Sequence, residues 1–196
     1  SYLAREDASR LLVIGAGALS PFLARAHAAV RPIRKISIWN RTPANAEKIV
    51  AGLRKDGFDA ELAGDLDAAL AAADVVSCAT ISSRPLVKGA LLAPGAHVDL
   101  VGGFTTTMRE ADDDAVRRAR VYVDTRGGAT KEAGDIVQPL ASGLLTHETI
   151  IADLYELTRG EKPGREGRDD ITLFKSVGAA IEDLAAGIAV YKTAAA

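Results

Sequence analysis

The apolar run Leu11-Leu12-Val13-Ile14 passes without a break into Gly15-Ala16-Gly17-Ala18-Leu19-Ser20, and the Ala- and Leu-rich stretch Pro21 to Val30 follows. An unbroken apolar tetrad suits a strand buried on both faces, the kind found in a parallel sheet covered by helices. The first glycine permits a tight turn. The second lets the backbone approach a pyrophosphate, and the helix that follows offers its N-terminal amides and the positive end of its dipole. Ser20 stands where a third small residue serves close helix–strand packing. This strand–turn–helix unit predicts an α/β chain built on a Rossmann-type, doubly wound parallel sheet.

The rest of the chain continues the alternation. Lys35 to Trp39 reads as a second strand, with Ile36 and Ile38 alternating, and Thr42-Pro43 as the start of a helix that ends near Asp56-Gly57. Phe58 to Leu62 reads as a short third strand, Asp65 to Ala73 as a small helix, and Val75 to Ala79 as the fourth strand. Ala96 to Val101 is the expected fifth strand, Arg109 to Ala119 a helix, and Val121 to Val123 the sixth strand, giving a six-stranded parallel sheet. Beyond these, Glu161 to Asp170 is polar and turn-rich. Ile171-Thr172-Leu173-Phe174 then leads into a closing helix from about Val177, opened by Lys175-Ser176, where Ser176 can cap the helix or bind a ligand. It carries Val177, Ile181, Leu184, Ile188 and Tyr191 on one face. The chain thus divides into a nucleotide-binding domain over 1–160 and a loop plus closing helix over 161–196.

Composition narrows the function classes. Of the 196 residues, 24 are basic and 26 acidic, for a formal net charge of -2, so no basic excess recruits nucleic acid. No apolar run approaches the ~20 residues that span a bilayer, and the charged N-terminus lacks a signal-peptide core. Cys78 is the single cysteine, which excludes an intrachain disulfide and fits a reducing, cytoplasmic setting. Its position inside an apolar strand suits an inert core thiol better than a nucleophile. His147-Glu148 lacks the second His of a zinc helix, so no metal is expected.

Three places carry binding chemistry. The first is the glycine turn. The second is the end of the second strand, Asn40-Arg41-Thr42, where an NAD-specific site would place a carboxylate for the ribose 2′-hydroxyl. An Arg stands there instead, a match for a 2′-phosphate, and Thr42 and Asn45 add neutral donors, so NADP(H) is expected in preference to NAD(H). The third is Lys131-Glu132-Ala133-Gly134-Asp135, which follows the sixth strand at the carboxyl edge of the sheet.

Taken together, these motifs resemble the ornithine cyclodeaminase/mu-crystallin family over nearly the whole chain. The resemblance rests on Gly15-Ala16-Gly17, Trp39-Asn40-Arg41-Thr42, Pro94-Gly95-Ala96-His97, Val101-Gly102-Gly103, Lys131-Glu132-Ala133-Gly134-Asp135 and Thr172-Leu173-Phe174-Lys175-Ser176-Val177-Gly178. It implies nucleotide contacts at Gly15, Gly17, Ala18, Leu19, Asn40, Arg41, Thr42, Asn45, Ala79, Thr80, Val101 and Ser176. It implies that Phe104, Glu132 and Ser176 lie near the substrate, and that the protein is a homodimer. The implied activity is reduction of a cyclic imino acid of the Δ1-pyrroline-2-carboxylate or Δ1-piperideine-2-carboxylate type. An NAD-dependent ornithine cyclodeaminase and an NADPH-dependent binding protein of mu-crystallin type are the alternatives. Phe104 departs from the cyclodeaminases, which carry an Asp there, and a Phe neither acts as a base nor holds an ammonium. Family members also carry a further segment ahead of the first strand that anchors the substrate carboxylate. The resemblance therefore implies that this chain is the nucleotide-binding portion, whose closing helix returns to that segment. Lys175 and Arg109 are the nearby cations that could substitute for the missing anchor.

Overall fold

A computed structural model describes residues 1–195. Eight strands, all parallel, form one sheet in the order β3-β2-β1-β4-β5-β8-β6-β7. The strands are β1 (Arg10–Ile14), β2 (Lys35–Trp39), β3 (Ala60–Leu62), β4 (Val75–Cys78), β5 (His97–Leu100), β6 (Ala119–Val123), β7 (Ile150–Asp153) and β8 (Ile171–Lys175). The connections include α1 (Ser20–Val30), α2 (Pro43–Lys55), α3 (Leu66–Ala72), α4 (Asp113–Arg118), α5 (Arg126–Glu132), α6 (Gly134–Ala141) and α7 (Leu154–Thr158), with α8 (Ala180–Ala194) at the end.

Alternation along the strands divides the core into two layers. Leu11 and Val13 of β1 turn to one face with Ile36, Ile38 and Val75, where α1 and α2 cover them through Ala24, Ala46, Val50 and Leu53. Leu12 and Ile14 turn to the other with Val76, Val98 and Leu100, under Leu70 of α3, Val116 of α4, Ala129 of α5 and Ile136 of α6. The chain winds outward from β1 to β2 and β3, then returns to place β4 on the opposite side of β1. The connections therefore reverse direction between β1 and β4, and that reversal opens a crevice at the strands' carboxyl ends.

Several expectations are corrected. The sheet has eight strands rather than six. β7 was not anticipated, and Ile171–Lys175, expected only to lead into the last helix, is β8, inserted between β5 and β6. The sheet thus runs through Lys175, past the boundary expected at residue 160. Lys175 and Ser176 do not open the closing helix, because α8 begins at Ala180 with Ala179 as its N-cap. The helix expected over Arg109–Ala119 is the shorter α4. Ahead of it the chain is extended, with Ala111 bridged to Val87, and Asp112 caps the helix by accepting the amide of Ala115 at 2.8 Å. No residue of α8 is buried, and Ile181, Leu184, Ile188, Val190 and Tyr191 are all exposed. No helix among the described residues is long and apolar enough to cross a membrane.

Candidate functional site

The glycine turn lies at the β1/β4 reversal. Gly15 has φ 110°, and a Cβ there would stand 2.5 Å from the carbonyl oxygen of Ala79 at the end of β4. Only glycine combines that left-handed backbone with that close approach. Ser20, fully buried, donates its Oγ hydrogen to the Gly15 carbonyl at 2.9 Å and ties the turn to the first turn of α1. Gly17 faces open space, with nothing within 4 Å of where a Cβ would sit. Gly17, Ala18 and Leu19 are exposed, and among the described residues their amides donate to no protein acceptor. Helix α1 starts without a side-chain cap and with no acidic residue in its first turn. An uncapped helix start beside bare backbone amides is a cradle for an anionic group, and a dinucleotide pyrophosphate fits it.

Next to this cradle, at the end of β2, Asn40 donates from Nδ2 to the Thr42 carbonyl at 2.9 Å and shapes the turn into α2. Asn45 also donates its amide to Thr42 at 3.1 Å. Arg41, Thr42 and Asn45 are exposed, and the Arg41 guanidinium has no hydrogen bond or ion pair among the described residues. No carboxylate occupies the turn.

On the other side of the reversal, the loops after β4 and β5 are cross-linked by a residue that the sequence reading did not single out. Glu110 is fully buried. Its Oε1 accepts from the Thr80 amide at 2.7 Å and the Thr80 hydroxyl at 2.9 Å, and its Oε2 accepts from the amides of Gly102 at 2.8 Å and Gly103 at 3.2 Å. A Cβ on Gly102 would collide with the backbone of Thr80, so glycine is required there. Asp135 is also fully buried; its Oδ1 accepts the amides of Glu110 and Ala111 at 2.8 and 2.9 Å. Lys175 completes the cluster, with Nζ 3.5 Å from Asp135 Oδ2 and 3.8 Å from Glu110 Oε2. Burial raises the Glu110 carboxyl above its ordinary value, although the nearby Lys175 charge opposes this. Burial likewise pushes up the Cys78 thiol, and Glu110 adds to the effect, which keeps Cys78 protonated and inert.

Ser176 follows β8 and sits at the same carboxyl edge. Its hydroxyl donates to Asp124 Oδ2 at 3.2 Å, and the same oxygen accepts the amides of Val177 at 2.7 Å and Gly178 at 2.8 Å. Asp124, the buried residue after β6, therefore holds the Ser176 turn. A carboxylate closing the apolar run Val121–Val123 was a usable signal for it. Phe104 is 53% exposed, one residue past Gly103. The loop beyond it packs on the start of α6, where Gly134 donates to Thr105 at 3.0 Å and Gln138 to Thr106 at 2.8 Å. Glu132, at the end of α5, is exposed beside this junction. Arg109 bonds to the Ala111 carbonyl and Asp113, and Lys175 has no exposed surface, so neither offers a free cation to a substrate.

A doubly wound sheet with a glycine turn at its reversal defines a dinucleotide-binding protein of Rossmann type. The chain belongs to the ornithine cyclodeaminase/mu-crystallin family, whose model matches residues 1–196. It is 44% identical over 187 residues to a Δ1-pyrroline-2-carboxylate reductase of Paracoccus denitrificans, covering 94% of this chain and 58% of that protein. Among solved structures, it resembles the Thermococcus litoralis Δ1-pyrroline-2-carboxylate reductase in complex with NADH and L-proline, at TM-score 0.90 and 37% identity over 93% of this chain and 57% of that one. An archaeal alanine dehydrogenase dimer with bound NAD matches at TM-score 0.92 and 30% identity over 98% of this chain and 59% of that one. The chain spans about three-fifths of the length of these relatives.

Proposed function

We propose that this chain is the nucleotide-binding portion of an NADP(H)-dependent reductase of cyclic imino acids of the Δ1-pyrroline-2-carboxylate or Δ1-piperideine-2-carboxylate type. The observation that carries the proposal is the bare amide cradle at the β1/β4 reversal, beside an unpaired Arg41 and without a carboxylate at the end of β2. The reductases named among its relatives support the substrate class.

The amides of Gly17, Ala18 and Leu19 and the start of α1 take the pyrophosphate, with Gly15 making room for the turn. Arg41 pairs with the 2′-phosphate, and Asn40, Thr42 and Asn45 bound the same pocket. The Thermococcus relative was solved with NADH, so the preference for NADP(H) rests on the Arg41 turn and its lack of a carboxylate. Ala79, Thr80, Val101 and Ser176 line the nicotinamide half of the crevice. When bound, the reduced nicotinamide would supply the hydride to the carbon of a C=N bond protonated at nitrogen, which gives CH–NH. Phe104, Glu132 and Ser176 border the substrate space. Phe104 gives it an apolar wall suited to a carbon ring rather than to a free ammonium, which separates this reading from ornithine cyclodeamination. The whole protein acts as a cytoplasmic homodimer.

The test follows cofactor absorbance with the full-length protein and Δ1-pyrroline-2-carboxylate. Turnover with that imine and none with ornithine is the expected result. Release of ammonia from ornithine, or cofactor binding with no imine reduction, overturns the substrate assignment.

A further inference from the structure

Glu110 joins two loops that the sheet itself does not hold. The β4–β5 ladder ends at Cys78 and Leu100, and beyond it the chains separate into the Thr80 loop and the Gly102–Gly103 loop. One carboxylate fork then takes two donors from each. The fork is itself fastened, because Asp135 Oδ1 holds the amide of Glu110. The side chain of Lys175 and the outer oxygen of Asp135 lie directly beneath Gly103, where an added Cβ would stand 3.0 Å from Asp135 Oδ2 and 3.5 Å from Lys175 Nζ. Both groups are fully buried, and among the described residues neither Asp135 Oδ2 nor Lys175 Nζ makes a hydrogen bond.

This is a costly way to join two loops. Two buried carboxylates and one buried ammonium carry a desolvation penalty that apolar side chains of similar volume would avoid. Such a cluster supplies geometry instead. A carboxylate held on both oxygens is a rigid link, and in a low-dielectric setting each bond resists displacement. The adenosine half of a dinucleotide lies toward β2, so the nicotinamide half lies over β4 and β5, between these same two loops.

We propose that Glu110 is a positioning residue for hydride transfer, fixing the cofactor-bearing Thr80 loop against the loop that presents Phe104 to the substrate, with Asp135 and Lys175 holding Glu110 in place. The inference rests on the reductase reading above. Hydride transfer needs donor and acceptor held roughly 3–3.5 Å apart, and each reactant here contacts a different loop. Pyrophosphate binding is made elsewhere, by amides at Gly15 to Leu19 that Glu110 does not touch. The charged or titratable groups facing Glu110 are Lys175 from β8, Asp135 from α6 and Cys78 from β4.

Two variants test this. Glu110→Gln keeps one acceptor oxygen and so can serve only one loop. Asp135→Asn keeps an acceptor for the Glu110 and Ala111 amides but removes the charge facing Lys175. In the full-length protein, Glu110→Gln should lower kcat by about tenfold to a hundredfold, the scale of an ~1 Å misplacement, while cofactor affinity changes less than about threefold. Asp135→Asn should lower kcat in the same direction by a smaller factor. A purely structural role would instead lower the folded fraction and leave kcat per bound cofactor unchanged. The second readout is amide exchange in the cofactor-free chain. Glu110→Gln should speed exchange at one loop, either Thr80 or the Gly102–Gly103 pair, by about tenfold, with β1 and α1 unaffected. Unchanged kcat in whichever variant folds, or unchanged exchange at both loops, overturns the proposal. Failure of the wild type to reduce any cyclic imine refutes the substrate reading instead, and amide exchange then decides the link.

Discussion

Gly15 and Gly17 occupy the same turn for different reasons, and substitution separates them. Gly15 needs both its left-handed φ and the space beside Ala79. Gly15→Ala should therefore cost about 1–3 kcal/mol of stability and weaken nucleotide binding with it. Gly17 has ordinary φ and open space above it. Gly17→Ala should leave the melting temperature nearly unchanged and still weaken nucleotide binding, because the methyl stands where the phosphates approach. Thermal unfolding paired with a fluorescence titration reads both effects, and an equal loss of stability in the two variants would contradict this account. At the same scale, His97 is a buried base. Its Nδ1 lies 3.0 Å from the Thr172 hydroxyl, which already gives its hydrogen to the Leu3 carbonyl, so His97 is the donor there. Burial lowers its pKa to about 3 from 6.5, against the pull of Asp99. Between these values the unfolded chain binds the extra proton, so stability rises with pH across the window and falls as the medium is acidified from about 6.5 toward 3. His97→Asn, which can keep a donor toward Thr172, should flatten that part of the stability–pH curve. Parallel curves for variant and wild type would show that His97 does not contribute.

At the scale of elements, α8 is the outlier. It buries none of its residues, while Ile181, Leu184 and Ile188 form an apolar stripe at helical spacing. A helix without tertiary packing has little to hold it, so its amides in this 196-residue chain should exchange far faster than those of β1, β4 and β5. Slow exchange across 180–194 would mean that the stripe is covered. Leu184→Glu should change the chain's unfolding free energy by no more than about 0.5 kcal/mol, the scale of an exposed surface change. The strands most legible in the sequence were those with local signals. β1 and β4 follow from apolar runs, β2 from the alternation of Ile36 and Ile38, and α2 from Thr42-Pro43. β8 was not legible, although Ile171, Leu173 and Phe174 are apolar. Its place between β5 and β6 is set by pairing with strands distant in sequence, and the turn-rich Glu161–Asp170 before it suggested an end to the sheet. Gly127-Gly128, Gly134 and Pro139 obscured α5 and α6, where tertiary packing overrides weak helix propensity.

Across the whole molecule, the glycine turn and the Arg41 turn were readable because a strand–turn–helix unit is local, and its chemistry is carried by backbone and one exposed side chain. The Glu110–Asp135–Lys175 cluster was not, because its members come from a loop, a helix start and a strand that meet only in the folded sheet. Glu110 was further hidden inside an expected helix that begins later, at Asp113. We propose above all that the β1/β4 crevice binds a nicotinamide dinucleotide and recognises its 2′-phosphate through Arg41. The most direct measurement is a fluorescence titration of the wild type and Arg41→Ala with NADPH and NADH. The account predicts tighter binding of NADPH by the wild type, and a loss of about tenfold to a hundredfold for NADPH in the variant, the scale of one hydrogen bond to a charged group, with NADH affected little. Equal weakening of both nucleotides, or a wild type that prefers NADH, would contradict it.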